Sequence, residues 1–233
     1  MTDYIHNSSE ALQRTKPKIW DPRYFYLLQL KKLVLKGFGI LNINKELKLL
    51  DFGCGASPYK QALGIYPFQY YRADLIENPS IDYQVLPSGQ IKNEDDFFDL
   101  VLSTQVLEHV PDYAFYLSEA KRVLNPKGKL ILTTHGHWMY HPDPTDYWRW
   151  TSMGLKKIIE DAGFELLHFE GIIGRSAIGL QLFQDGLMFK LPKPIRVVFI
   201  VIMQFLVRFF DKVHSKQQKN DDACTYLVVA QKR

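Results

Sequence analysis

Residues 47–59 read Leu47-Lys48-Leu49-Leu50-Asp51-Phe52-Gly53-Cys54-Gly55-Ala56-Ser57-Pro58-Tyr59. A short apolar run that ends in Asp51 and passes into Gly53-x-Gly55 is typical of a buried strand that turns sharply beneath a ligand. Glycine permits such a turn because it lacks a Cβ, so that backbone and ligand approach closely. The stretch therefore predicts a strand followed by a nucleotide-binding loop.

The residues after this loop separate two kinds of nucleotide site. A dinucleotide fingerprint needs glycine or alanine three residues after Gly55, where this chain has Pro58. A second predicted strand, Tyr70 to Leu75, carries Asp74 at a spacing where a carboxylate accepts both hydroxyl groups of a ribose. A tight strand exit without a ligand explains the glycine pair alone equally well, but the addition of Asp74 favours a nucleoside.

Two further blocks extend the pattern. They read Phe98-Asp99-Leu100-Val101-Leu102-Ser103-Thr104-Gln105-Val106-Leu107-Glu108-His109-Val110 and Glu119-Ala120-Lys121-Arg122-Val123-Leu124-Asn125-Pro126-Lys127-Gly128-Lys129-Leu130. Together with the loop and Asp74, they resemble class I S-adenosylmethionine-dependent methyltransferases of the type-11 group, of the kind found near polysaccharide-assembly genes. The matching motifs occur in order from about Leu47 to Phe164.

The resemblance implies both a fold and a cofactor. The fold is a Rossmann-like α/β sandwich with a seven-stranded, mostly parallel sheet and an antiparallel last strand, and the cofactor is S-adenosylmethionine. Many relatives place an acidic residue after strand three to meet the adenine amino group, but here only Ser88, Gln90 or a backbone group is available. The residues implied to contact the cofactor are Asp51, Gly53, Cys54, Gly55, Asp74, Leu75, Ser103, Thr104 and Gln105.

Composition narrows the class of protein. A chain of 233 residues is long enough for one sizeable α/β core, so we expect a methyltransferase domain at 47–233 after an N-terminal arm and helix at 1–46. The net charge is +4, and its 29 basic residues are dispersed, which disfavours nucleic acid as a partner. Cys54 and Cys224 are far apart, as expected of free thiols in a reducing compartment. The N-terminus lacks a secretory pattern, so we expect a cytoplasmic protein.

Local signals predict the remaining elements. Residues 1–20 lack apolar periodicity and are expected to form a loose arm that orders over a ligand. Asp21 as the N-cap and Pro22 at the first helical position begin a helix, which Gly37 and Gly39 end. The other predicted elements are a crossover helix from Pro58 to Leu63, a third strand from Ile81 to Leu86, a helix from Met153 to Ala162 capped by Thr151, a sixth strand from Phe164 to Gly171 and a last strand from Cys224 to Ala230.

The segment from His135 to Thr151 concentrates polar and aromatic side chains on a predicted loop. It contains three histidines, two aspartates, an arginine and five aromatic residues. Aromatic faces cover apolar faces of a sugar ring, while Asp, His and Arg bond its hydroxyls. We therefore predict that the acceptor is bound by Asp146, Tyr147, Trp148 and Arg149. The alternative is a rigid proline-rich lid whose aromatic residues belong to the core and whose arginine pairs with a nearby carboxylate.

A metal site in this loop is not predicted. The side chains of His135, His137, His141 and Asp143 are suitable ligand types, but their spacing matches no recognised metal motif.

A hydroxyl acceptor benefits from a general base whose pKa lies near about 7. The candidates are His109, His135 and His141. For His109 the alternative is a structural role in orienting a loop or the cofactor, which is the commoner role of a lone histidine.

An insertion of about fifty residues, 172–222, replaces the short hairpin expected before the last strand. Within it, 195–210 is an apolar run whose helix would be about 24 Å long, shorter than the roughly 30 Å hydrocarbon core of a bilayer. Arg196, Gln204 and Arg208 are predicted to share one side. The pattern suits peripheral contact with the inner face of the membrane, which would imply a lipid-linked acceptor. A homodimer face or a helix buried on its own domain explains the pattern equally well.

The predicted function is transfer of a methyl group from S-adenosylmethionine to a sugar hydroxyl in a glycan or lipid-linked saccharide. A small lipid or quinone-like acceptor is the alternative within the same fold. A non-catalytic S-adenosylmethionine-binding protein is the alternative from another class, although it does not need the combination of Asp51, Gly53, Gly55 and Asp74. An oxidoreductase is disfavoured by Pro58.

Overall fold

A seven-stranded sheet forms the centre of the molecule. The structure is a computed structural model that describes residues 8–75, 81–143 and 145–233. Its strands are β1 (Leu47–Phe52), β2 (Phe68–Asp74), β3 (Tyr83–Gln84), β4 (Phe98–Thr104), β5 (Leu124–His135), β6 (Phe164–Gly174) and β7 (Ala223–Lys232).

The strand order is β3-β2-β1-β4-β5-β7-β6. All pairs from β3 to β5 are parallel, whereas β7 is antiparallel to both β5 and β6. The predicted mostly parallel sheet with an antiparallel last strand is therefore confirmed. The strand order reverses direction beside β1, and open α/β sheets bind ligands at the carboxyl ends of the strands at such a point.

Helices cover both faces of the sheet. They are α1 (Ser8–Thr15), α2 (Tyr24–Ile40), α3 (Lys60–Leu63), α4 (Tyr113–Val123), α5 (Ser152–Asp161), α6 (Arg175–Leu187), α7 (Lys193–Asp211) and α8 (Lys216–Asp221), with short 3-10 turns at Leu107–His109 and Met188–Lys190.

Two apolar cores lie on opposite faces of the sheet, because successive side chains of a strand point to opposite faces. Leu50 and Val228 pack with α4 and α5 on one face. Leu49 and Val229 pack with α2, α6 and α7 on the other. The runs of consecutive apolar residues in β1 and β7 thus indicate strands that are buried on both faces.

The start of β1 at Leu47 and the capping of α5 agree with the predictions. Thr151 Oγ1 accepts a hydrogen bond from Gly154 N at 3.0 Å, as expected of an N-cap. Other predicted elements differ in length: α3 has four residues, β3 has two, and β6 continues to Gly174.

Three predictions about the N-terminal region are wrong. Residues 8–15 form α1 instead of a loose arm, while residues 1–7 lie outside the described residues. Helix α2 begins at Tyr24 and not after Asp21, whose carboxylate accepts a hydrogen bond from Arg23 N at 2.8 Å. Gly37 does not end α2, because it lies against the sheet: a Cβ there would be 3.1 Å from Ile131 Cγ2. The glycine permits close packing of the helix on the strands.

Three glutamines attach the inserted helices to the start of α2. The side-chain amides of Gln181, Gln184 and Gln204 donate to the Pro22 carbonyl oxygen at 2.9, 2.8 and 2.9 Å. Gln204 also accepts a hydrogen bond from Phe25 N at 2.9 Å. Gln204 is 3% exposed whereas Arg208 is exposed, so the prediction that Gln204 shares one side of its helix with the two arginines is wrong. The buried amide groups of the three glutamines therefore have hydrogen-bond partners in one another and in the backbone.

Candidate active site

The loop after β1 and the end of β2 lie side by side at the carboxyl edge of the sheet. Gly55 N donates to Asp74 Oδ2 at 2.7 Å, and Leu75 N donates to Asp74 Oδ1 at 2.8 Å. Gly53 has a φ of +77°, and a Cβ there would lie 2.6 Å from Val106 Cγ2. Gly55 has a φ of +48°, and a Cβ there would meet no described atom within 4 Å. Packing of the loop therefore requires Gly53, whereas none of the described atoms would contact a Cβ at Gly55.

Asp51 lies beneath this loop and is 3% exposed. Its Oδ2 accepts a hydrogen bond from Tyr70 OH at 2.5 Å. Burial raises the pKa of Asp51 from 3.8 to about 7, and the nearby Asp74 carboxylate adds to the increase. An ammonium group bound at this carboxyl would restore its ionised form. Beside it, burial raises the pKa of the Cys54 thiol, so the thiol stays protonated.

The three residues predicted at the exit of β4 have different surroundings. Ser103 is fully buried, and its hydroxyl shares a hydrogen bond of 2.8 Å with Tyr116 OH in the core. Thr104 is half-buried. Gln105 has a φ of +56°, which is uncommon for a residue with a side chain. Its amide accepts from Tyr26 OH at 3.0 Å and donates to a threonine hydroxyl of β5 at 3.1 Å, which fixes this conformation.

The structure brings the three predicted bases together around a glutamate. We call Glu108, His109, His135 and His141 the imidazole cluster. The ring centroids of His135 and His141 are 5.1 Å apart, and those of His109 and His141 are 4.9 Å apart. Glu108 Oε1 lies 3.6 Å from His135 Nε2. The cluster occupies the exits of β4 and β5, next to the exit of β1.

The members of the cluster differ in access and in charge. His135 is 3% exposed, and burial lowers its pKa well below the ordinary value, so this ring is neutral. His141 is partly exposed, and burial lowers its pKa as well. His109 Nδ1 contacts the Thr145 carbonyl oxygen, and His141 Nδ1 lies 3.2 Å from the Met139 carbonyl oxygen. A carbonyl only accepts, so both Nδ1 atoms carry hydrogen and both Nε2 atoms have a lone pair.

Asp146 and Arg149 form an internal ion pair behind His141. The Asp146 carboxylate accepts from both terminal nitrogens of Arg149 at 2.6 Å and from His141 N at 2.8 Å. Burial opposes its ionisation, but the Arg149 hydrogen bonds prevail and lower the pKa of Asp146. Arg149 Nε also donates to the Trp138 carbonyl oxygen at 3.1 Å. Asp146 and Arg149, which were predicted to contact the acceptor, therefore pair their charged groups with each other. Their hydrogen bonds stabilise the loop that carries His141.

The other two predicted acceptor contacts are placed differently. The side chain of Tyr147 is 50% exposed beside the cluster, while its backbone N donates to the Glu108 carbonyl oxygen at 2.9 Å. Trp148 is partly buried, its Nε1 donates to the Val110 carbonyl oxygen at 2.8 Å, and its ring packs edge-on against Tyr113. Tyr147 thus presents the more accessible side chain of the two.

Several residues of the site were not identified from the sequence. Tyr26 and Trp138 pack with His135 as three neighbouring rings. The ring centroids of Trp138 and His135 are 4.9 Å apart, those of Tyr26 and His135 are 5.9 Å apart, and those of Tyr26 and Trp138 are 4.6 Å apart. Tyr26 lies on α2, far from the motifs, so no local signal pointed to it. The sequence did contain a signal that could have identified Glu108, because an acidic residue within an apolar run is unusual. His137 lies apart from the cluster and pairs with Asp222.

Comparison with known proteins identifies related sequences. Residues 22–169 match the family described as "Methyltransferase domain". The ubiquinone biosynthesis O-methyltransferase of Bartonella tribocorum is 27% identical over 102 residues, which cover 38% of this chain and 41% of that protein. The match thus spans about two-fifths of that relative's length.

Solved structures show the same fold at low sequence identity. Phosphoethanolamine N-methyltransferase 2 of Haemonchus contortus, in complex with S-adenosyl-L-methionine, has a TM-score of 0.58 at 17% identity over 96% of this chain and 59% of that chain. A putative methyltransferase from Bacillus halodurans has a TM-score of 0.54 at 17% identity, and the match covers 85% of this chain and 98% of that chain.

Proposed function

This chain belongs to the methyltransferase domain family, and from this premise we propose that it is an O-methyltransferase that uses S-adenosylmethionine. The observation that carries the proposal is the position of the imidazole cluster. Strands β1, β4 and β5 are neighbours in the sheet, and neighbouring strands lie about 5 Å apart. A donor bound above the β1 loop therefore lies within one or two strand spacings of imidazoles that accept a proton from a hydroxyl group.

The residues of the cofactor edge fit S-adenosylmethionine. Asp74, held by two backbone amides, has the geometry to accept the ribose hydroxyls, and none of the described atoms would contact a Cβ at Gly55. The buried Asp51 carboxyl is matched by the α-ammonium of the methionine part. We assign Gly53, Cys54, Leu75, Thr104 and Gln105 to the same site, whereas the fully buried Ser103 belongs to the core beneath it.

The bound cofactor supplies a methyl group on a sulfonium, which is already a good leaving group. The protein then has to align the acceptor oxygen with that methyl, exclude water and accept a proton. His109 is suited to the last role, because it is partly exposed and its Nε2 has a lone pair. His135 is buried beside Tyr26 and Trp138, so it is less accessible to an acceptor than His109.

The preferred acceptor is a sugar hydroxyl of a lipid-linked saccharide. The exposed ring of Tyr147 beside the cluster offers a face for a sugar. A quinone-like phenol is the second candidate, and the curated relatives named ubiquinone biosynthesis O-methyltransferase favour it. Both acceptors share a hydroxyl nucleophile and a lipid tail.

Transfer of labelled methyl groups from S-adenosylmethionine into host extract tests the acceptor class. Label is expected in the lipid-linked saccharide fraction, and label in the quinone fraction would move the assignment to the second acceptor.

Asp74→Asn is expected to weaken cofactor binding roughly tenfold to a hundredfold, since charge-assisted hydrogen bonds contribute about 1.5–3 kcal/mol. Asp82→Asn is the control, because Asp82 pairs with Arg72 on the strand surface. Measurable cofactor binding with no label in any fraction would contradict methyl transfer and favour the non-catalytic alternative.

The inserted helices present an apolar surface that suits a lipid acceptor. Within the described ranges, no helix combines the length and apolarity needed to cross a membrane. The outer side of α6 and α7, which we call the apolar helix face, includes Phe183, Phe189, Ile195, Val198, Ile202, Phe205 and Phe209, all at least half exposed. Basic residues lie around it: Lys190, Lys193, Arg196, Arg208 and Lys212. An apolar face bordered by cations suits the interface of an anionic membrane. We propose peripheral contact there, at the inner face of the membrane.

The double substitution Phe205→Asp with Phe209→Asp should lower binding to anionic phospholipid vesicles at least about tenfold, since burying each phenyl ring contributes about 1.5–3 kcal/mol. Co-sedimentation measures the binding. These two positions are chosen because they are 57% and 65% exposed, whereas Ile200 on the buried side is 5% exposed and its replacement would test folding. Met153→Asp on α5, 71% exposed, is the matched control. A wild-type dimer that dissociates in the double variant, with vesicle binding absent, would show a homodimer face instead.

A further inference from the structure

Glu108 has a buried carboxyl group whose hydrogen bonding is incomplete. The residue is 0% exposed, and its Oε2 accepts a hydrogen bond from Thr134 Oγ1 at 2.8 Å. Its Oε1 has no hydrogen-bond partner among the described residues. A buried carboxylate oxygen without a partner costs free energy. The position of Oε1 therefore indicates a cationic ligand that would compensate this cost.

Two imidazoles face the same oxygen. One ligand atom from each of Glu108, His135 and His141 lies within 4.8 Å of the other two. Glu108 Oε1 and His135 Nε2 are 3.6 Å apart. Ligands that bind one transition-metal ion at about 2.1 Å lie roughly 3 to 4 Å from each other, and the Glu108–His135 pair already has this spacing. Two imidazoles and one carboxylate suit a divalent transition metal better than Mg²⁺ or Ca²⁺.

The outward-facing atoms of all three side chains are already engaged. His135 Nδ1 lies 3.2 Å from Thr225 Oγ1. His141 Nδ1 lies 3.2 Å from the Met139 carbonyl oxygen and 3.3 Å from Asp146 Oδ2. Metal-binding histidines characteristically donate their second ring nitrogen to a carbonyl or carboxylate, which orients the ring. Each of the three side chains thus has one atom held by the protein and one atom turned towards a common point.

Two carboxylates and two arginines set the charge around this point. Glu108 and Asp146 are the nearby carboxylates. Arg149 is the cation beside His141, and Arg23 lies 4.8 Å from the centroid of the Trp138 ring that stacks on His135. The Arg149 guanidinium lies on the Nδ1 side of His141, 3.3 Å from that atom, and pairs with Asp146. The pairing of Arg149 is thus with Asp146, and Glu108 Oε1 remains without a hydrogen-bond partner among the described residues. Three protein ligands also leave coordination positions open, as in catalytic and not structural metal sites.

We propose that Glu108 Oε1, His135 Nε2 and His141 Nε2 bind one divalent transition-metal ion, such as Zn²⁺, which holds the oxygen of the methyl acceptor. The binding site stands independently, while its part in the reaction rests on the proposed function. The ion polarises the acceptor hydroxyl, whose proton passes to His109 Nε2. The oxygen then forms a bond to the methyl carbon as the carbon–sulfur bond breaks, and the electron pair of that bond stays on sulfur.

Metal binding is measured on the full chain without cofactor or acceptor, so its failure is distinct from failure of the proposed function. After treatment with a chelator, Zn²⁺ is titrated by calorimetry and Co²⁺ by visible absorption. One equivalent of each is expected, with Co²⁺ bands that report nitrogen and oxygen ligands. Glu108→Gln and His141→Ala should each weaken binding at least about a hundredfold. His137→Ala is the matched control, because His137 lies apart from the cluster and pairs with Asp222.

Two results would overturn the proposal. One is wild-type protein that takes up no stoichiometric Zn²⁺ and gives no Co²⁺ bands, a result that does not depend on whether any variant folds. The other is loss of binding in His109→Ala with binding retained in Glu108→Gln. That pattern would place the ion among His109, His141 and Asp146, whose ligand atoms also lie within 4.8 Å of one another. Circular dichroism of each variant checks that its fold is retained.

Discussion

Replacing His109 by alanine should lower the rate of methyl transfer by about 10²- to 10⁴-fold, the usual contribution of a general base, and leave the affinity for S-adenosylmethionine unchanged. The physical reason is the tautomer of this ring. Its Nδ1 faces the Thr145 carbonyl oxygen, so the lone pair is on Nε2, at the partly exposed side of the imidazole cluster. The alanine variant removes the proton acceptor without touching the β1 loop or Asp74.

The rate is measured as initial incorporation of labelled methyl into the acceptor fraction, and cofactor affinity is measured by calorimetry. His137→Ala is the control for loss of a histidine on the same side of the molecule, and it should retain the wild-type rate. If His109→Ala also retained that rate, His109 would have the structural role that was the alternative from the sequence. A joint loss of transfer and cofactor affinity would likewise contradict a role limited to proton transfer.

The unfolding free energy of the cofactor-free protein should fall by up to about 4 kcal/mol between about pH 4 and about pH 7 because of Asp51. Burial raises the folded-state pKa of Asp51 to about 7, whereas 3.8 is the ordinary value. Between these two values the unfolded chain loses the proton while the folded protein retains it. The folded state then binds more protons, so stability decreases as pH rises. Below 3.8 both states are protonated, and above about 7 both are ionised, so this contribution is constant outside the window.

Urea unfolding at a series of pH values, compared with Asp51→Asn, measures the effect. Asparagine keeps an oxygen acceptor for Tyr70 OH but does not titrate, so the difference between the two proteins isolates Asp51. This comparison is necessary because burial lowers the pKa of His135, which makes stability rise with pH in part of the same range. Equal pH dependence in the two proteins would show that Asp51 ionises normally. Saturating S-adenosylmethionine should reduce the decline, because its ammonium group favours the carboxylate.

Local sequence signals were sufficient for the cofactor edge of the fold. The pairing of Gly55 with Asp74 follows from the parallel arrangement of β1 and β2, whose ends meet at one edge of the sheet. The cap at Thr151 depends on residues three positions apart. Such features are predictable, because the interacting groups are neighbours in the chain or lie at equivalent strand ends.

Features that depend on contact with an element distant in the sequence were not predictable in the same way. Gly37 resembles a helix stop in the sequence, but the sheet behind it makes it a packing residue. Gln204 resembles part of a polar helix side, yet it faces Pro22 and two other glutamines. In both cases the local pattern is ambiguous, because the same residue type serves two environments and only the neighbouring element decides between them.

On the acceptor side, too, some features were predictable from the sequence and others required the folded structure. The histidines and the Asp146–Arg149 pair were visible as candidate chemistry, but pairing them required the folded loop. Glu108 and His135 are separated by a helix and a strand in the chain, and they meet only because β4 and β5 are adjacent.

The amino-acid sequence by itself indicated the strands and glycine loop of the cofactor edge and the residue types available for catalysis, because strand periodicity and glycine turns are local properties. The order of the strands in the sheet came from the tertiary structure. The tertiary structure alone decided which histidine is accessible, which carboxylate is buried without a partner, and which side of α7 is apolar and exposed. Those properties depend on burial and on distances between distant segments, and burial is a property of the packed chain that no short stretch contains.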